Sequence, residues 1–89
     1  MSAESSDRRS QIRSVLAEHA KLLVPVQDLD DRDDLFRAGM TSHASVNVVL
    51  GLEDVFDVEF PETMLRKSTF ESIATIDRAL DTLLSVVQS

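Results

Sequence analysis

Three stretches of this chain repeat apolar residues at the spacing of an α-helix, and this pattern limits the fold more than any other feature. The first stripe, between about Ser6 and Val24, comprises Ile12, Val15, Leu16, His19, Leu22 and Leu23. The second, between Ser42 and about Phe56, comprises Ser45, Val48, Val49, Leu52, Val55 and Phe56. The third comprises Ile73, Ile76, Leu80, Leu83, Leu84 and Val87. Because each helix must bury its stripe against the others, the pattern predicts an all-α bundle.

Local signals set the predicted ends of these helices and add a short fourth one. Pro25 disfavours helical geometry at Val24, so the first helix is predicted to end there. Pro61 predicts a short helix in "PETMLRK", because proline is favoured in a first helical turn. Ser68, with Glu71 three residues later, resembles a capping box and predicts the start of the last helix. The predicted fold is a four-helix bundle with three main helices, one short helix and a long first loop.

Chain length and hydropathy bound the size and setting of the protein. Its 89 residues make one domain, which we expect at residues 7–89 after a flexible tail at residues 1–6. The apolar fraction of 43% is typical of a globular protein. No apolar run approaches the ~20 residues that span a bilayer. The N-terminus also lacks the apolar run of a secretion signal, so a cytoplasmic location without membrane contact is expected.

Charge and residue types exclude several classes of site. The net charge of −7 disfavours nucleic-acid binding, which needs clustered Lys and Arg. The absence of cysteine excludes disulfides, thiolate ligands and a cysteine nucleophile. The only histidines, His19 and His43, are 24 positions apart, so no metal site is expected. His19 belongs to the first stripe, where we expect it to pack at the edge of the core.

A long acidic loop, "PVQDLDDRDDLFRAGMT" at residues 25–41, joins the first two helices. It is longer than an ordinary helix connection, and loops of this length are usually packed and functional or else disordered. Packing is favoured by its apolar residues, which are Val26, Leu29, Leu35, Phe36 and Met40. Its five aspartates are expected to form a solvated rim, because the ligand order of a calcium loop is missing.

Ser42 opens the second helix, and the residues around it leave two interpretations. Thr41 is the natural N-cap, which leaves Ser42 in the first turn with its hydroxyl outward. Ser42 then either helps to start the helix or serves as an attachment site, since a helix N-terminus tolerates a phosphate. A catalytic role is disfavoured: neighbours on a helix point about 100° apart, so His43 is badly placed to act as its base. We expect no catalytic residue.

The helix face below Ser42 is nearly uncharged, although the chain is acidic. Val46 and Leu50 lie one and two turns below Ser42 on the same side. Apolar residues at a helix surface are typical of a docking patch. The alternative is that the preceding loop covers both side chains, and the sequence alone leaves this choice open.

The stretch "DDLFRAGMTSHASVNVVLGLEDVFDVEFPE", residues 33–62, resembles the acyl and peptidyl carrier proteins. The elements that match in order and spacing are Asp34-Leu35-Phe36, Gly39-Met40, Ser42, Leu52-Glu53, Phe56 and Phe60-Pro61-Glu62. This resemblance implies a carrier-protein bundle that bears 4′-phosphopantetheine on Ser42 through a phosphodiester bond. The thiol at the end of the arm would form thioesters, and the carrier itself would catalyse nothing.

Two departures point to a narrower group. The family's Asp before the serine is Thr41 here, and the Leu after it is His43. The sequence "GMTSHASV" is more similar to small stand-alone aminoacyl carrier proteins of bacteria. These are served by amino acid:carrier protein ligases related to class II aminoacyl-tRNA synthetases. The resemblance implies three partners: such a ligase, a phosphopantetheinyl transferase and an unidentified downstream acceptor enzyme. The expected contacts are Met40, Thr41, His43, Ala44, Val46, Asn47 and Leu50.

Three hypotheses follow from the residues and the resemblance. The first is a carrier that accepts activated glycine or alanine as a thioester. The second is an ordinary acyl carrier protein for specialised fatty-acid or polyketide synthesis. The third is a helical adaptor that keeps the carrier fold and is never modified. The mass of the protein after exposure to a transferase separates the third from the others, and loading with an amino acid and ATP separates the first two.

Overall fold

The computed structural model describes the backbone of residues 2–88 and the side chains of residues 7–85. It contains three α-helices: α1 (Ser2–His19), α2 (Ser42–Phe56) and α3 (Ile73–Gln88). Three short 3₁₀ turns lie between them, at Val26–Asp28, Glu62–Met64 and Lys67–Phe70, and the described backbone contains no strand. The all-α prediction is confirmed. The backbone of α1 begins at Ser2, before the predicted start near Ser6, and the side chains of the predicted tail at residues 1–6 and of Val87 lie outside the described residues.

The core forms where the three stripes meet, with α1 packed against both α2 and α3. The largest fully buried side chains come from all three helices and the first loop: Ile12, Leu16, Leu35, Val48, Leu52, Ile73, Ile76 and Leu80. Two predicted core residues are instead on the surface, since Leu23 is 84% exposed and Val55 is 47% exposed. Val55 lies at the edge of the predicted stripe, where helical spacing separates core from surface least sharply.

The first helix ends five residues before the predicted boundary, at His19 rather than Val24. Lys21 has a φ of 53°, a left-handed conformation that stops an α-helix. The chain then runs beside the loop, where the backbone N–H of Leu23 donates to the carbonyl of Ala38 at 2.9 Å. Leu23 therefore leaves the helical phase that would have buried it. His19 is half-buried beside Gly51, which agrees with its expected packing role.

The start of α3 also differs from the prediction. Ser72 and Thr75 cap the helix reciprocally: the Thr75 N–H donates to Ser72 Oγ at 3.1 Å, and the Ser72 N–H donates to Thr75 Oγ1 at 3.0 Å. The capping box predicted at Ser68 and Glu71 is wrong by four residues, because Ser68 lies inside the 3₁₀ turn Lys67–Phe70. The short fourth helix consists of the two 3₁₀ turns after Pro61 rather than one continuous segment.

The long loop is packed, as predicted, with Val26, Leu29, Leu35 and Met40 buried. Its aspartates do more than form a solvated rim. Asp31 pairs with Arg9 at 2.7 Å and with Arg13 at 2.8 Å. The Asp34 carboxylate accepts the backbone N–H of Phe36 at 2.9 Å. These contacts fasten the loop to α1 and fix the segment that leads into α2.

A buried carboxylate joins the first and last helices. Asp77 on α3 is 7% exposed and pairs with Arg8 and Arg9 on α1. A charge this deeply buried is tolerated only when it is paired and hydrogen-bonded. The pairing therefore joins α1 to α3 by charge as well as by apolar packing.

Candidate functional site

A tight turn at Gly39 precedes Ser42. Gly39 has a φ of 118°, and a Cβ there would lie 2.7 Å from the Cγ of Leu23, so only glycine fits. The next residue, Met40, is buried, and its N–H donates to the carbonyl of Leu35 at 3.0 Å. The turn is thus fixed on both sides, and α2 must begin two residues later.

Thr41 caps α2, as the sequence predicted. Its backbone is extended, with φ −86° and ψ 166°, and its Oγ1 accepts the N–H of Ala44 at 3.0 Å. Ser42 is therefore the first helical residue, with an exposed side chain. Its carbonyl accepts the Ser45 hydroxyl at 2.6 Å, whereas its own hydroxyl makes no hydrogen bond with any residue that the structure describes.

The N-terminus of α2 is suited to an anion. The backbone N–H groups of Ser42 and His43 precede the first intrahelical donors, and the helix dipole adds partial positive charge there. The first turn of α2 carries no acidic residue, although the chain has 16 of them. A phosphate on the Ser42 oxygen would meet unpaired amides and no opposing carboxylate in this turn.

A groove of about 450 Å³ begins at Ser42 and lies between α2 and the segment of 3₁₀ turns. Its lining is Phe36, Ser42, Ser45, Val46, Val49, Leu50, Glu53, Leu65, Arg66, Lys67 and Phe70. Val46 is 56% exposed and Leu50 is 58% exposed, so the loop before the helix does not cover them. Of the two interpretations left open by the sequence, the exposed apolar patch is the one found.

The predicted contact residues divide into surface and core. Thr41 and His43 are exposed and Asn47 is half-buried. Met40 is only 2% exposed and Ala44 only 5%, so neither presents a side chain to a partner. Both belong to the hydrophobic core, and their inclusion in the contact set is corrected. Ala44 lies one turn before the fully buried Val48 on the inward face of α2, which explains its burial.

Sequence reasoning missed the opposite wall of the groove. Leu65 is 49% exposed there, and Arg66 and Lys67 line it. The Lys67 Nζ lies 5.0 Å from the centroid of the Phe36 ring, a distance at which a cation is attracted to an aromatic face. The available signal was the sequence "MLRK", but no helical period showed which of its side chains face α2.

Metal sites and membrane-spanning helices are both absent from the part of the chain that the structure describes. No three His, Cys, Asp or Glu side chains come together there as metal ligands. None of the helices described combines the length and the hydropathy that crossing a membrane requires.

Comparisons of this chain with known proteins identify a family and several relatives. A profile described as a phosphopantetheine attachment site matches residues 10–76. An aminoacyl carrier protein from Agrobacterium fabrum is 41% identical over 73 residues, which cover 82% of this chain and 88% of that protein.

Two solved structures extend the comparison to complexes. One is an engineered Bradyrhizobium japonicum glycine:carrier protein ligase with a carrier protein from Agrobacterium tumefaciens and AMP. Its matching chain is 40% identical to this one, with a TM-score of 0.80. The match covers 82% of this chain and 97% of the other. The other is the B. japonicum ligase with glycylated carrier protein. That match has 27% identity and a TM-score of 0.71, and it covers 82% of this chain and 97% of the other.

Proposed function

Since the chain belongs to the phosphopantetheine attachment-site family, we propose that it bears its 4′-phosphopantetheine on Ser42 and accepts an activated glycine or alanine as a thioester. The observation that carries the assignment of Ser42 is its exposed hydroxyl on the first residue of α2, which bonds to none of the described residues. The bound group supplies a thiol, which this cysteine-free chain lacks.

Different residues around Ser42 contribute to binding the group. Ser42 supplies the oxygen of the phosphodiester bond. The N–H groups of Ser42 and His43 would hold the phosphate at the start of α2, where the helix dipole would stabilise its charge. Thr41 keeps this geometry by capping the helix, while Gly39 keeps the preceding turn.

The choice of cargo is supported by the relatives. The aminoacyl carrier protein of A. fabrum is 41% identical, and a carrier similar to this chain has been solved in its glycylated form with a glycine:carrier protein ligase. We therefore assign activation of the amino acid to such a ligase, and modification of Ser42 to a phosphopantetheinyl transferase. The carrier itself performs no catalysis, and a separate acceptor enzyme takes the aminoacyl group. We place this system in the cytoplasm, where ligases of this kind find their ATP.

The function is tested by loading. The holo protein is incubated with ATP, a glycine:carrier protein ligase, and either glycine or alanine, and its intact mass is measured. We expect one added glycyl or alanyl group, which hydroxylamine removes because it is a thioester. A holo protein that stays unloaded with both amino acids, and accepts a fatty acyl group from an acyl ligase instead, is an ordinary acyl carrier.

We further propose that the ligase docks on the exposed apolar patch of α2. Val46→Glu or Leu50→Glu is expected to raise the KM for the carrier roughly tenfold, which corresponds to about 1.4 kcal/mol of lost binding. Val55→Glu is the matched control: it adds the same charge at another exposed position of α2, away from the groove lining. Circular dichroism checks that all three variants fold. An unchanged KM in both groove variants, or an equal rise in the control, would place docking elsewhere.

A further inference from the structure

The lining of the groove along α2 ends in an acidic residue. Ser42, Val46, Val49, Leu50 and Glu53 all line the groove. Their spacing of four, seven, eight and eleven residues from Ser42 places them on one helix face. At a rise of about 1.5 Å per residue, Glu53 lies about 16 Å along the axis from Ser42. An anionic group thus stands at a fixed distance from the proposed attachment point.

The loaded arm is long enough to span this distance. About sixteen bonds join the phosphorus to the α-nitrogen of the amino acid, thirteen of them as far as the sulfur, and an extended chain advances about 1.25 Å per bond, which gives about 20 Å. We propose that the loaded arm rests along this groove in the unbound carrier, with the α-ammonium group of its amino acid at the Glu53 carboxylate. This inference rests on the proposed function, because only an aminoacyl cargo brings that positive charge.

The carboxylate of Glu53 is positioned for such a contact. One of its carboxylate oxygens accepts the backbone N–H of Phe60 at 2.9 Å, which fixes the side chain beside the groove. Its other oxygen has no hydrogen bond within residues 7–85, and no ion pair joins Glu53 to a basic side chain there. Half of the carboxylate is therefore anchored, and the other half is free to accept a donor.

The other charged residues of the groove favour the same position for an ammonium group. Arg66 and Lys67 line the groove, and Lys67 is positioned over the Phe36 ring. Both would repel a positive cargo, which leaves Glu53 as the single acidic residue of the lining. Val46, Leu50 and Leu65 offer apolar surface to the methyl and methylene groups of the arm. An ammonium contact beside apolar walls is also less screened than one in open water.

The test compares two cargoes that differ in one charge. A phosphopantetheinyl transferase attaches arms from coenzyme A derivatives in which glycyl or acetyl is joined to nitrogen in place of sulfur, so neither is hydrolysed. Backbone amide NMR shifts of the ¹⁵N-labelled carrier are then recorded. We expect the glycyl form, and not the acetyl form, to shift the amides around Glu53 and Leu65. Added salt should reduce the difference.

Matched variants assign the effect to one carboxylate. Glu53→Gln keeps an acceptor for the Phe60 N–H and removes the charge, and it should lower the ratio of docked to undocked arm about two- to fivefold, as for a partly exposed ion pair. Asp54→Asn removes the same charge one position along the helix, outside the groove lining, and should leave the glycyl-specific shifts unchanged.

The outcomes separate this inference from the proposed function. Shifts confined to the neighbourhood of Ser42, or equal shifts with glycyl and acetyl arms, would overturn the resting position at Glu53 while leaving the carrier function intact. A chain that gains no arm from the transferase fails earlier, at the proposed function itself. Loss of the glycyl-specific shifts in Glu53→Gln, with their retention in Asp54→Asn, supports the proposal.

Discussion

Ser42→Ala is expected to abolish the mass increase of one phosphopantetheine that the unmodified chain gains from coenzyme A and a phosphopantetheinyl transferase. The reason is chemical: the variant has no oxygen at this position to form the phosphodiester bond. The fold should survive, because the Ser42 side chain is exposed and its hydroxyl bonds to no described residue. Intact-protein mass spectrometry, with a molar excess of coenzyme A, gives the answer as all or none.

Ser45→Ala is the control for this experiment. Ser45 lies in the same helical turn and lines the same groove, but its hydroxyl donates to the Ser42 carbonyl at 2.6 Å. We expect Ser45→Ala to be modified normally. Modification of Ser42→Ala would mean that another hydroxyl is used. An unmodified wild-type chain, tested with several transferases, would favour a helical adaptor that keeps the carrier fold without its arm.

Features of the site that depend on local chain geometry were predictable from the sequence. A threonine before an apolar helix predicts an N-cap, and Thr41 is that cap. Once the cap is fixed, the outward position of Ser42 and the shared face of Val46 and Leu50 follow from helical periodicity alone. The fold class was predictable for the same reason, since three stripes with one period leave few arrangements other than a bundle.

Features that depend on tertiary contacts were not predictable. Leu23 has the right spacing for the first stripe, but the left-handed Lys21 turns the chain before it. Ser68 and Glu71 have the spacing of a capping box, yet Ser72 and Thr75 form the cap that the bundle uses. The wall opposite α2 depends on how the 3₁₀ turns pack, so Leu65 carried no signal of its place in the groove. Helical periodicity predicts which residues of one helix share a face. It does not predict which other element packs beside that face to form a groove.

The outward face of α2 therefore serves binding, and its inward face serves stability. The outward face holds Ser42 and the apolar patch, and substitutions there should change binding while the stability stays nearly constant. The inward face holds Ala44, Val48 and Leu52, which lose nearly all their exposure on folding. A carrier that presents an apolar patch to its partners depends on its small core alone for stability, so the inward face should tolerate little change.

Leu52→Ala is expected to lower the free energy of unfolding by about 2–5 kcal/mol, through lost burial and the cavity that remains. Leu52 has no exposed surface, and small domains are stable by only about 5–15 kcal/mol, so the loss is a large fraction of the total. Val55→Ala, three residues later on the same helix, should cost under about 0.5 kcal/mol because Val55 is 47% exposed. Urea unfolding followed by circular dichroism measures both. Equal costs for the two variants would contradict the assignment of Leu52 to the core and of Val55 to the surface.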